Sequence, residues 1–240
     1  MSTGKVNEIS TREGQDLIAN RESSKTWPRV WDPVVRLGHW LLVVAFFTAY
    51  LTEEELLNLH VWAGYAVGII VVVRIVWGFV GPQRARFTDF VRGPRATFSY
   101  LFDLISGSAR RHVGHSPAGG AMVLALLFSL AVTTWSGLWV YAYEEQAGPI
   151  AGFVTTPAIT SSENVMGLER NEDLEHPGEL HDESESRYEK REEWWEETHE
   201  FFANLTLFLV LLHVAGVALA SFVHRENLAS AMITGRKRPL

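Results

Sequence analysis

Between Phe201 and Phe222 the chain runs without a charged side chain, and at about 1.5 Å per residue this run is long enough to cross a hydrocarbon core about 30 Å thick. Such a stretch reads as a membrane-spanning helix, because a helix satisfies its backbone polar groups without help from lipid. His199 stands at its head and His213 inside it. A helix turning about 100° per residue sets the two about 21 Å apart along the axis and about 40° off one line, so one face offers two imidazoles at two depths. An ionisable group inside a span is costly and marks a candidate site, and neutral imidazole is a common ligand of haem iron.

Composition narrows the chemistry. Hydrophobic residues make up 47% of the 240, yet mean hydropathy is only +0.04, since a strongly polar segment dilutes the apolar ones. The chain has no cysteine. Disulfides, iron–sulfur clusters and covalent haem attachment are therefore excluded together, and any haem is the non-covalent b type. Residues 1–30 form a polar tail; from Met1 to about Lys25 it lacks an apolar core, which predicts no cleavable signal peptide and leaves the first span as the targeting signal.

Four spans are expected, at about 34–51, 61–80, 118–141 and 201–223. Arg36 and His39 interrupt the first, and the second carries His60 at its mouth and Arg74 near its far end. Between the second and third lies a connection with Arg84, Arg86, Arg92, Arg95, Arg110 and Arg111 against Asp89 and Asp103. That is a strong positive-inside signal. Its aromatic stretch TFSYLFDLI is too short to span and reads either as a helix along the membrane surface or as a packed loop helix. The third span begins SPAGGAMVLALL, with small residues that permit close helix contact, and contains no histidine. From Glu144 to Glu200 there are 17 Asp or Glu against 4 Lys or Arg, so an acidic insert over 144–198 is expected to be largely solvated. Arg236, Lys237 and Arg238 close the chain. The charge bias predicts N-in and C-in ends with the acidic insert outside.

With that topology, His60 and His199 share the outer level, and His39 and His213 share the inner one. Each level pair suits the two axial positions of one haem iron held between helices. Taken singly, His60 and His199 are equally well read as solvated interfacial residues, and His213 as a partner in a buried hydrogen bond. His224 falls past the apolar run and reads as interfacial, and His176 and His181 read as solvated among carboxylates. Arg74 must snorkel or find an anion, and a haem propionate is a suitable one.

The motifs RLGHW, LHVWAGY, GHSPAGG and HEFFANLTLFLVLLHVAGVALASFVHRENLASAMITG resemble the bacterial cytochrome b561 family, which includes the b-type cytochrome subunits of nickel–iron hydrogenases. The resemblance covers about Trp31 to Gly235 apart from the acidic insert. It implies an all-α integral membrane protein, a four-transmembrane-helix bundle over 31–240 with two haems b between the helices. It implies electron transfer between membrane quinone and a surface partner in a bacterial inner membrane. The family's ligands fall on His39 and His213 for the inner haem and on His60 and His199 for the outer one.

The acidic insert departs from compact relatives. A negative field favours a cationic periplasmic redox protein, such as a c-type cytochrome, over an anionic substrate. No nucleic-acid partner is expected. Two other readings compete: a superoxide:ubiquinone oxidoreductase, and a haem-free membrane anchor or transporter whose histidines form a proton relay.

Overall fold

In a computed structural model, the described residues are 32–53, 56–82, 85–90, 93–106, 116–154, 177–223 and 227–234. They form the helices α1 (Pro33–Leu51), α2 (Leu57–Val80), α3 (Phe87–Phe90), α4 (Pro94–Ile105), α5 (Pro117–Glu144), α6 (Pro177–Val223) and α7 (Leu228–Thr234), with a 3-10 turn at Ala151–Phe153. No strand occurs among the described residues. Helices α1, α2, α5 and α6 are long and apolar enough to cross a membrane. Large apolar side chains such as Val44, Ile69, Phe128 and Phe208 are exposed along them, a surface that water disfavours and acyl chains cover.

Local chemistry sets the helix starts. Asp32 Oδ1 accepts the backbone N–H groups of Val34 (2.9 Å) and Val35 (3.2 Å), and Pro33 fills the first helical position, where no N–H is needed. Ser116 and Pro117 repeat this arrangement at α5, with Ser116 Oγ accepting the Gly119 N–H at 3.1 Å. Helix α2 begins at Leu57, ahead of the expected 61, because the carbonyl of Leu56 already accepts the His60 N–H at 3.0 Å. His60 thus sits within the first turn of a helix and not in the preceding connection.

Contacts cluster the chain into two compact units. One comprises Leu41–Ile75 and Met122–Leu212. Within it the four spans close a ring. Tyr50 donates to Asn204 Oδ1 at 3.0 Å, joining α1 to α6, and His60 reaches Ala49 O, joining α2 to α1. Gly68 lies directly against Thr134, joining α2 to α5. The hydroxyls of Ser129 and Thr206 bond at 2.7 Å with both residues buried, tying α5 to α6. Polar pairs of this kind hold helices together where lipid gives no hydrophobic drive, each contributing about 0.6 kcal/mol.

The same unit adds helical order to the acidic connection, most of whose described glutamates are exposed. Residues 155–176, including His176, lie outside the described residues, but from Pro177 the chain is already helical and continues unbroken as α6 to Val223. At 1.5 Å per residue the 47 residues extend about 70 Å, more than twice a hydrocarbon core. An aromatic clasp orders the polar half. Trp195 stacks on Trp139 with ring centroids 5.3 Å apart and planes within 7°, and the Tyr188 hydroxyl donates to Tyr143 O at 2.7 Å.

The clasp also sorts the charges. At about 100° per residue, Glu185, Glu189, Glu193, Glu196 and Glu200 fall within an arc of about 80°, and all are exposed. Tyr188, Trp195 and His199 lie about 100° to one side of that stripe, and Arg187, Lys190 and Arg191 lie on the other side and the back.

The second unit comprises Met1–Trp40, Val76–Ala121 and His213–Leu240. Here Arg36 Nε donates to Met232 O at 3.0 Å, tying α7 to α1. The ring of Phe87 lies against Gly78, where any side chain would collide with it. Helix α4 combines the two readings of TFSYLFDLI: Tyr100 and Leu104 are buried, while Phe98 and Phe102, on the opposite side, are 71% and 77% exposed. The helix packs with one stripe and offers an aromatic stripe outward.

Candidate functional site

Four histidines were expected to matter, and the fold brings the rings of two of them together. The rings of His60 (α2) and His199 (α6) have centroids 6.1 Å apart and planes at 75°. His60 Nδ1 lies 2.9 Å from Ala49 O, and His199 Nδ1 lies 2.9 Å from Thr133 O and 3.3 Å from Ser136 Oγ. A carbonyl oxygen only accepts, so each Nδ1 carries the hydrogen and each Nε2 keeps its lone pair. This is the tautomer a metal-binding imidazole needs, with the second nitrogen anchored to a backbone acceptor.

Two features of α5 make room for His199. A Cβ at Gly137 would stand 2.8 Å from His199 Cε1, so only glycine lets the imidazole lie on the helix. Ser136, fully buried, turns its hydroxyl back to the carbonyls of Val132 (2.9 Å) and Thr133 (3.0 Å) and leaves its oxygen facing the imidazole. Sequence reasoning named neither residue, nor Ala49 or Thr133. The pair Ser136–Gly137 inside an apolar span was the available signal.

The two imidazoles open onto a cleft that is partly open to the surroundings. Phe46, Val67, Leu130 and Leu138 give it apolar walls, and Glu53, Tyr65 and Tyr141 add polar groups. Gly64, four residues beyond His60, also lines it, and a Cβ there would meet nothing within 4 Å. The space beside the histidines is thus kept free of side chain. Two metal–nitrogen bonds of about 2 Å, plus about 1.1 Å from each nitrogen to its ring centre, put an axial imidazole pair about 6.2 Å apart. The observed 6.1 Å fits an iron between the rings, and the apolar walls fit a macrocycle.

His39 and His213 lie in the other unit. His39 sits edge-on to Trp40 at 5.3 Å, and its Nδ1 is buried with no hydrogen-bond partner among the described residues. A buried nitrogen in that state costs stability unless something else binds there. Arg74 is half-buried on α2. His224, His112 and His115 lie outside the described residues, as does the side chain of His181.

Four apolar helices, with two neighbouring imidazoles beside an apolar cleft, suit a membrane protein of the cytochrome b class. The sequence model of the prokaryotic cytochrome b561 family matches residues 30–235, and the chain belongs to that family. Family members are b-type membrane electron-transfer cytochromes that bind haem b. Comparison with curated proteins and with solved structures gives no significant match.

Proposed function

We propose that this chain is a dihaem cytochrome that carries single electrons between quinone in a bacterial inner membrane and a redox protein outside it. His60 and His199 hold the iron of one haem b, His39 and His213 that of a second, and Arg74 meets a propionate. The observation that carries the reading is the His60–His199 pair, 6.1 Å apart with both Nδ1 atoms donating to carbonyls.

Bound haem supplies one-electron exchange at iron. The chain's own residues do the rest. Ala49 and Thr133 hold the imidazoles in one tautomer and orientation, so no ring has to turn or change its proton as charge changes. Phe46, Val67, Leu130 and Leu138 exclude water from the cleft wall, which lowers the cost of solvent rearrangement.

The exposed glutamate stripe on α6 begins beside His199 and suits a positively charged partner, such as a c-type cytochrome. It disfavours an anion such as superoxide.

The test is a pyridine haemochrome titration of protein purified from cells with ample haem. Two haems b per chain are expected. A colourless protein would leave the haem-free transporter reading, and one haem per chain would remove the second site. For orientation, cysteines introduced singly at Ser162 and Ser108 should react with an impermeant thiol reagent in intact cells only at Ser162. The reverse labelling would invert the electron route.

A further inference from the structure

Helices α5 and α6 meet along one seam. Tyr188 lies against Tyr143 with ring centroids 5.0 Å apart, Trp195 stacks on Trp139, His199 meets Ser136, and Thr206 bonds Ser129. Successive members of this series, Ser129, Ser136, Trp139 and Tyr143 on α5 and Tyr188, Trp195, His199 and Thr206 on α6, stand three, four or seven residues apart. That spacing lets two helices keep one face toward each other over several turns.

The levels of the seam do not grip equally. At His199 the facing residues are Ser136 and Gly137, which make room for the imidazole and offer no large side chain to hold α6 against turning. Deeper in the span come the hydroxyl pair and an edge contact, at 6.2 Å, between Phe202 and the largely exposed Phe128. The one parallel ring stack among the described residues, Trp139 on Trp195 with planes within 7°, stands one turn before His199. Trp139 Nε1 is buried with no hydrogen-bond partner among the described residues, so this ring is held by its face and not by its polar edge.

The Thr133 carbonyl sets the imidazole about its own side-chain bonds, but the ring reaches that carbonyl at one rotation of α6, and a working ligand must be held within about 10–20°. We propose that Trp139 and Trp195 are positioning residues for His199: their stack fixes the rotation of α6 and so aims His199 Nε2 at the iron, although neither ring lines the cleft. The inference rests on the reading that His60 and His199 hold a haem iron. The polar half of α6 is then part of the ligand frame as well as a surface for a partner.

The experiment uses the intact, haem-loaded protein in detergent, with two readouts of the His60–His199 haem. In a low-spin ferric haem the anisotropy of the EPR signal follows the angle between the two axial imidazole planes, which is 75° between these rings. In the ferrous haem, carbon monoxide binds only when one imidazole leaves. His213→Ala, which keeps the His60–His199 haem, identifies the signal. Trp139→Ala and Trp195→Ala should each shift its largest g value and speed carbon monoxide binding about three- to tenfold, the worth of one aromatic pair. Two haems per chain should remain, with the His39–His213 signal unmoved. Trp195→Phe, which keeps a ring against Trp139, should stay near wild type in both readouts.

If an alanine variant does not accumulate, Trp195→Leu, which fills space but cannot stack, takes its place and should behave as alanine does. An unmoved EPR signal and an unchanged carbon monoxide rate in the variants without the stack would overturn the proposal. So would loss of both haems or an equal change at both, since the stack would then be a general prop of the bundle. Wild-type protein with no bis-imidazole signal from His60 and His199 would instead remove the haem reading beneath it.

Discussion

Each compact unit holds one histidine pair, but only one pair sits in a finished frame. Around His60 and His199, all four spans contribute a contact, and one backbone carbonyl sets the direction of each imidazole. His39 and His213 lie in the unit that also holds the short helices α3, α4 and α7, and His39 Nδ1 has no hydrogen-bond partner among the described residues. The comparison teaches that histidines of equal chemical type are not equal sites. A ligand held by the protein before its metal arrives loses less freedom on binding than one that the metal must order.

The largest test of that difference is removal of a ligand from each pair. His199→Ala and His213→Ala should each give half the wild-type haem by pyridine haemochrome, since an iron with one axial imidazole missing is weakly held. Equal loss of both haems from either variant would mean that the pairs are not independent sites.

A smaller effect is expected from filling the frame without touching a ligand. Gly137→Ala puts a methyl 2.8 Å from His199 Cε1, and Gly64→Leu puts a side chain into open cleft. Both should lower haem occupancy at the His60–His199 site, read from the bis-imidazole absorption bands, while the other haem is retained. An unchanged spectrum in both variants would show that the cleft beside these residues is not where the macrocycle lies.

The ring of helices that carries the frame can be loosened on its own. Ser129→Ala removes the buried bond to Thr206 and should cost about 0.6 kcal/mol, seen as a lower thermal midpoint in detergent with haem spectra unchanged. A haem-specific change would instead place this bond within the ligand frame.

The smallest effect concerns the surface beside the framed site. Changing Glu189, Glu193 and Glu196 to Gln should slow reoxidation by a cationic cytochrome a few-fold at low salt. The difference should vanish as added salt shortens the Debye length below its physiological value of about 8 Å. Rates indifferent to both salt and substitution would mean that the stripe does not steer the partner.

Much of this was legible beforehand, for physical reasons that can be named. The apolar run ending at Phe222 is a length matched to a bilayer, and length survives any tertiary arrangement. His199 and His213 share a helix, so their common face follows from helical pitch alone. The helical order of 177–200 was less legible. A run of glutamates reads as solvated, and only the stacking of Trp195 on Trp139 and the bond from Tyr188 to Tyr143 show that an aromatic face inside that run has a partner. His60 was expected at a helix mouth and stands in the first turn of α2, which the Leu56 carbonyl starts a few residues earlier than hydropathy placed it.

By itself the sequence determined four apolar helices, a chain without cysteine and therefore without covalent haem attachment, and the placing of four histidines on three of those helices, because hydropathy, element chemistry and pitch are properties of one segment at a time. The tertiary structure decided which way those imidazoles point. The hydrogen on His199 Nδ1 is set by a carbonyl on α5, that on His60 by a carbonyl on α1, and the room for His199 by a glycine on a helix with no histidine of its own. Such choices depend on how each helix is rotated against its neighbours, and periodicity along a single helix carries no record of that rotation.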